Sequence, residues 1–213
     1  MSAHCRHHAA EPPTGDTAYR RVLWIALIVN AAMFAVELIG GMAAASVALQ
    51  ADAVDFFADA ANYGVSLFVL GMSLRARALA AFVKGLAMGA FGLFVAGNAV
   101  LHAMAGRLPD ATPMGVIGAL ALAANVGMAV LLFRHRDGDA NRQSVWLCTR
   151  NDAIGNVAVL VAASGVFATG TGWPDYAVAA VMAGLAIVAG TQVMLRATAE
   201  LRREKSPSRV AAE

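Results

Sequence analysis

Asp55 and Asp59 stand one helical turn apart inside an apolar run long enough to cross a membrane. Cys148 and Asp152 repeat that four-residue spacing in a second such run. Asp52 extends the first set at a spacing of three, so all three of its carboxylates project from one helix face. Ionisable side chains are costly in hydrocarbon, and where they occur they mark ion or proton pathways. Carboxylate oxygen and thiolate both ligate Zn²⁺, whose tetrahedral shell takes four donors. Two facing helices that each offer two donors complete that shell without a loop, as in helix-bundle metal sites. Clustered carboxylates without a cation repel one another and take up protons, which a divalent ion then displaces. Exchange of metal for protons is the chemistry these residues imply. The competing reading for Asp152 is a structural ion pair with Arg150. That reading does not extend to the whole set, because the three acids of the first run have no matching three cations.

The rest of the chain supplies the elements that must position these groups. Of 213 residues 59% are hydrophobic and 14% charged, against about 25% charged in soluble domains. Apolar windows of about 20 residues recur along the chain, which predicts an all-α integral membrane protein. Six spans are expected, at about Val22–Met42, Ser46–Leu70, Ala78–Met104, Met114–Phe133, Val145–Phe167 and Tyr176–Leu195. Gly40-Gly41, the stretch from Arg107 to Pro113 and that from Gly170 to Pro174 read as breaks. The domain plan is a tail over 1–21, a six-helix unit over 22–195 and a short charged tail over 196–213. No apolar core of a cleavable leader stands in the first twenty residues. Two cysteines in settings as different as Cys5 and Cys148 do not suggest a disulfide.

Basic residues set the expected orientation. Arg6, Arg20, Arg21, Arg75, Arg77, Lys84, Arg134, Arg136, Arg142, Arg196, Arg202, Arg203, Lys205 and Arg209 all fall on one side of a six-span plan. Arg107 alone falls on the other. Both termini are therefore expected in the cytoplasm, with Trp24 and Trp146 near the inner interface and Trp173 and Tyr176 near the outer one.

Val29-Asn30 through Glu37-Leu38-Ile39-Gly40-Gly41, and Ser46-Val47-Ala48-Leu49-Gln50-Ala51-Asp52-Ala53, closely resemble the first two helices of the cation diffusion facilitator family. Asp152-Ala153-Ile154-Gly155-Asn156 resembles its fifth helix. The resemblance implies export of Zn²⁺ or related ions from the cytoplasm across the inner membrane in exchange for protons, usually by a homodimer. It puts the transport site on Asp55, Asp59, Cys148 and Asp152, with the metal as substrate and no cofactor. Asn30, Glu37, Asp52 and Asn156 match positions expected to line the cavity or brace the bundle.

The chain departs from the family pattern in two respects. Zinc members commonly have His where Cys148 stands. A thiolate is softer and suits Cd²⁺ as well as Zn²⁺ while disfavouring Mg²⁺, Ca²⁺ and Mn²⁺. The plainer reading of Cys148 is a small buried apolar residue. An acid rather than His at Asp55 likewise argues against strict zinc selectivity and admits Co²⁺, Ni²⁺ or Fe²⁺. Most members also continue into a soluble ferredoxin-like domain, whereas this chain ends about eighteen residues past its last span. A dimer would then be held by membrane helices, and Gly85, Gly89 and Gly92 offer a small-residue face for it. His4, Cys5, His7 and His8 could collect metal on the cytoplasmic side or chelate it incidentally. The loop residues His135, Asp137 and Asp139 make at most a weak funnel, and His102 reads as interfacial.

Other function classes fit less well. An intramembrane metalloenzyme needs an open metal position and a nearby general base, and no His-Glu-x-x-His motif is present. Nothing points to nucleic acid. A non-transporting metal sensor or partner subunit would keep the fold, but the intact set of ligands argues against it.

Overall fold

The computed structural model describes residues 17–68, 73–133 and 140–204, the side chains of 19, 66, 68, 74, 77, 140–151, 203 and 204 excepted. Six helices follow in chain order: α1 (Thr17–Ala43), α2 (Val47–Phe68), α3 (Leu74–Met104), α4 (Ala111–Phe133), α5 (Ala140–Thr169) and α6 (Trp173–Glu204). The expected N-terminal cluster His4, Cys5, His7 and His8 and the loop residues His135, Asp137 and Asp139 lie outside the described residues, as do the side chains of Cys148, Trp146 and Arg150. The sixth helix runs nine residues past the expected end at Leu195, so much of the charged segment after it continues the helix.

Among the described residues, five of the helices contain stretches long and apolar enough to cross a membrane. Large apolar side chains such as Ile28, Leu93, Val116, Val161 and Val181 are exposed along their outer faces. That is the surface a bilayer solvates, because helices satisfy their own backbone groups within hydrocarbon. The exception is α2, whose three aspartates lower its hydropathy. It does not need an apolar exterior. It packs against each of the other five helices, and every residue from Val47 to Val54 is buried.

Antiparallel pairs build the bundle around α2. On α1, Ala26 clusters with Tyr63 and Met33 with Phe56, so Asn30 lies at the level of Asp59 and Glu37 at that of Asp52. On α3, Asn98 donates to Gln50 at 2.9 Å, Phe91 packs on Phe57 and Lys84 donates to Asn62. Helices α4 and α5 pair through Gly118 against Val159 and Leu160.

The start of α2 is fixed from another helix. Ser46 accepts from the Leu49 N–H at 3.1 Å as a helix cap. Its own hydroxyl donates to Asp175 on α6 at 2.6 Å. The Val47 and Ala48 N–H groups donate to the same carboxylate at 2.8 and 3.0 Å. Asp175 therefore serves the orphan donors of the helix that carries the acidic stripe.

The glycines divide between turns and close helix contacts. Gly106 and Gly170 take φ of +60° and +61° at the turns after α3 and α5, where a side chain would be strained. Gly40-Gly41 do not end α1. The helix continues to Ala43, and Gly41 instead lets α2 approach: a Cβ there would lie 3.1 Å from the Gln50 nitrogen. The face of Gly85, Gly89 and Gly92 is also used within the chain, against expectation. A Cβ on Gly85 would sit 2.8 Å from the Gly190 carbonyl oxygen, and one on Gly92 2.8 Å from Ile187. Gly85 and Gly92 therefore seat α6 and do not face a second copy. Gly190→Val is expected to separate these helices, because its Cβ would fall 2.6 Å from the Gly85 oxygen. The loss should be about 1–3 kcal/mol or more, read as a lower melting temperature in detergent.

Tyr176 is likewise not a belt residue. It is 6% exposed, and its hydroxyl donates to the Arg107 carbonyl, tying α6 to the turn after α3. Trp173, 68% exposed and packed edge-on against Tyr176, keeps the interfacial position.

Candidate functional site

Asp52, Asp55, Asp59 and Asn62 recur at spacings of three and four along α2 and form one stripe. Asp52 and Asp59 are buried and Asp55 is partly accessible. The helix α5 crosses this stripe. Asp152 lies opposite Asp59, within hydrogen-bonding reach of its carboxyl and within electrostatic reach of Asp55 and Asp52. Its Oδ2 is buried and has no hydrogen-bond donor. Two ionised carboxylates are both acceptors, so Asp59 and Asp152 bond to each other only when they share a proton. Otherwise they repel unless a cation comes between them.

Cys148 lies one turn before Asp152 along α5. Among the described residues no three His, Cys, Asp or Glu side chains are close enough to hold a metal ion. The ligand set expected from sequence includes Cys148, whose side chain is not among them. The structure brings Asp59 and Asp152 together, with Asp55 within electrostatic reach of Asp152.

A second polar layer lies one turn along. Asn125 on α4 donates to the Asn156 oxygen at 2.8 Å, and Asn156 on α5 donates to Asp52 on α2. Asp52 in turn faces the carboxyl of Glu37 on α1. Four helices are joined by this chain, and all four side chains are at most 3% exposed. Neither Glu37 oxygen has a donor, so the Glu37–Asp52 contact also becomes a hydrogen bond only with a proton between them. Asn30 donates to the Ala26 carbonyl at 2.8 Å while its own Oδ1 stays buried without a donor. Asn30, Glu37, Asp52 and Asn156 are the positions singled out in the sequence for lining or bracing; Asn125 is not among them.

Sequence reasoning missed Asn125, Asp175 and the role of Lys84. Asn125 is a lone amide within a 23-residue apolar helix, a signal available from hydropathy alone. Lys84 counts among the flanking basic residues by sequence, but it is 7% exposed and its Nζ donates to Asn62. Asp175 looks like an ordinary first-turn acid until its partners on α2 are known.

A membrane-embedded helical bundle with carboxylates at its centre defines a multi-pass membrane protein with a polar core. More particularly, residues 23–201 match the cation efflux transmembrane domain, and the chain belongs to that family. It is similar to the metal cation efflux system protein CzcD of Cupriavidus metallidurans, 25% identical over 215 residues, covering 95% of this chain and 67% of the relative. Similarity extends to the zinc transporter ZitB of Escherichia coli, 28% identical over 185 residues, with 80% and 58% covered. The cadmium, cobalt and zinc/H(+)-K(+) antiporter of Bacillus velezensis is 24% identical over 188 residues, with 82% and 60% covered. The chain thus spans about two thirds of CzcD and less of the other two.

Proposed function

We propose that this protein exports a divalent metal ion, Zn²⁺ or Cd²⁺, across the inner membrane in exchange for protons. Asp55 and Asp59 of α2 and Cys148 and Asp152 of α5 are the ligands in this reading. The observation that carries it is the meeting of the Asp59 and Asp152 carboxyls, the latter with a buried oxygen that has no donor. Such a pair accommodates either protons or a cation between its oxygens, and competition for the same lone pairs is what couples the two fluxes. The relatives named for metal efflux and zinc transport support the ion class. The one named for H(+)-K(+) antiport supports the exchange.

Alternating exposure of the site requires packed helices to rock about it. The α3–α6 pair, joined by close glycine contacts, and the α2–α5 crossing are the elements between which such rocking would occur. Asp52, Glu37, Asn125 and Asn156 hold the site's outer edge in position. With both termini cytoplasmic, metal enters from the side of Thr17 and Glu204. The working unit in this reading is a homodimer formed through membrane helices.

The test is metal uptake by purified protein in sealed vesicles with an imposed pH gradient, comparing Zn²⁺, Cd²⁺, Co²⁺ and Mn²⁺. Flux of Zn²⁺ or Cd²⁺ that follows the gradient is expected. Metal binding without flux would identify a sensor or partner subunit instead. In the same assay Cys148→Ser should lower Cd²⁺ flux relative to Zn²⁺ by about tenfold, because the softer thiolate favours the softer ion. An unchanged Cd²⁺/Zn²⁺ ratio would remove the thiol from the ligand set.

A further inference from the structure

Lys84 is the one buried cation among the described residues, and the ligand set does not use it. It lies ten residues into α3, about 15 Å along the helix at the usual rise. A lysine near a helix end normally extends its ammonium to the interface. Lys84 does not. Its side chain is 7% exposed, and its Nζ donates to the Asn62 carboxamide oxygen. Asn62 stands three residues after Asp59 on the same α2 stripe. The ammonium therefore lies against the face that carries the carboxylates, within electrostatic reach of Asp59. It sits toward the end of the bundle where Thr17 and Glu204 lie. Gly85, the next residue, is packed against Gly190 and Met194 of α6, which fixes the rotation of α3 and keeps Lys84 turned toward α2.

An ammonium held in a membrane interior needs a compensating charge, and Asp59 is the acid within its reach. From this arrangement we infer that Lys84 is a tethered counter-cation of the metal site. It compensates Asp59 when the metal has left, and it weakens metal binding by repulsion when the metal is present. The inference rests on Asp59 being a metal ligand, as proposed above. Its consequence for the cycle is an ion held loosely enough to be released, with an emptied site that does not carry its full negative charge while it reorients.

The test separates charge from structure. Lys84→Gln keeps a donor for Asn62 and removes the charge, whereas Lys84→Arg keeps the charge. Titration of Zn²⁺ and Cd²⁺ into purified protein should show Lys84→Gln binding about tenfold tighter or more, from loss of the repulsion between like charges. Lys84→Arg should stay near the wild type, and vesicle turnover at saturating metal should fall in Lys84→Gln. In metal-free protein Lys84→Gln should lower the melting temperature by roughly 3 °C or more. That loss should vanish in an Asp59→Asn background, since the charge to be compensated is then absent.

Unchanged or weaker metal binding in Lys84→Gln, or equal tightening in Lys84→Arg, would overturn the inference and leave the transport reading standing. Thermal effects of Lys84→Gln and Asp59→Asn that simply add would overturn the pairing itself. A wild type that binds neither metal would instead sink the assignment of Asp59 as a ligand, and the effect on metal affinity with it.

Discussion

Asp152→Asn is expected to reduce metal transport by at least ~100-fold, more than is lost when a group merely supporting a ligand is removed, while the metal-free bundle becomes no less stable. The two halves of this result have one cause. The Oδ2 of Asp152 has no donor, so replacing that oxygen by an amide nitrogen leaves no former donor unsatisfied. It also removes an acid that must either repel Asp59, Asp55 and Asp52 or take up a proton to lie beside them, and relief of that conflict favours the folded state. If Asp152 were instead one half of a structural ion pair, removing its charge would strand a cation in a low-dielectric interior and cost several kcal/mol. Vesicle flux and a melting curve on the same preparation separate the readings. Retained flux would remove Asp152 from the ligand set, and a sharply lowered melting temperature would make it a structural acid.

The largest effect on stability is expected at Asp175, which caps the start of α2. Asp175→Ala deletes an acceptor that serves the Ser46 hydroxyl and the Val47 and Ala48 N–H groups, at 2.6, 2.8 and 3.0 Å. Ser46, Val47, Ala48 and Asp175 are all buried, so water cannot readily replace the lost acceptor. Hydrogen bonds to a charged group contribute about 1.5–3 kcal/mol each, and buried donors left without partners add their own penalty. A net loss of about 3–5 kcal/mol is a reasonable scale once the shared acceptor is counted a single time. Asp175→Asn keeps one oxygen and should recover part of that loss. Because the affected end belongs to α2, metal flux should fall with stability in Asp175→Ala and recover with it in Asp175→Asn. Melting temperature measured alongside flux checks this. Flux lost at unchanged stability would instead place Asp175 on the transport path.

Hydropathy and the helical period are properties of short segments. Sequence by itself therefore determined the helices, the acidic stripe Asp52, Asp55 and Asp59, the matched position of Asp152 and the family resemblance. That resemblance also singled out Asn30, Glu37 and Asn156, since the residues that carry it are local motifs readable without any knowledge of their neighbours. Which way each helix turns, and which side chain from another helix fills the gap, depends on packing across large sequence separations. Only the tertiary structure decided that Asp175 caps a helix 128 residues away, that Asn125 completes a chain through Asn156 to Asp52, and that Gly85 and Gly92 seat α6. Lys84 shows the division most clearly. Counted by charge it marks the inner side of a membrane; placed by the rotation of α3, it faces the acids at the centre of the bundle.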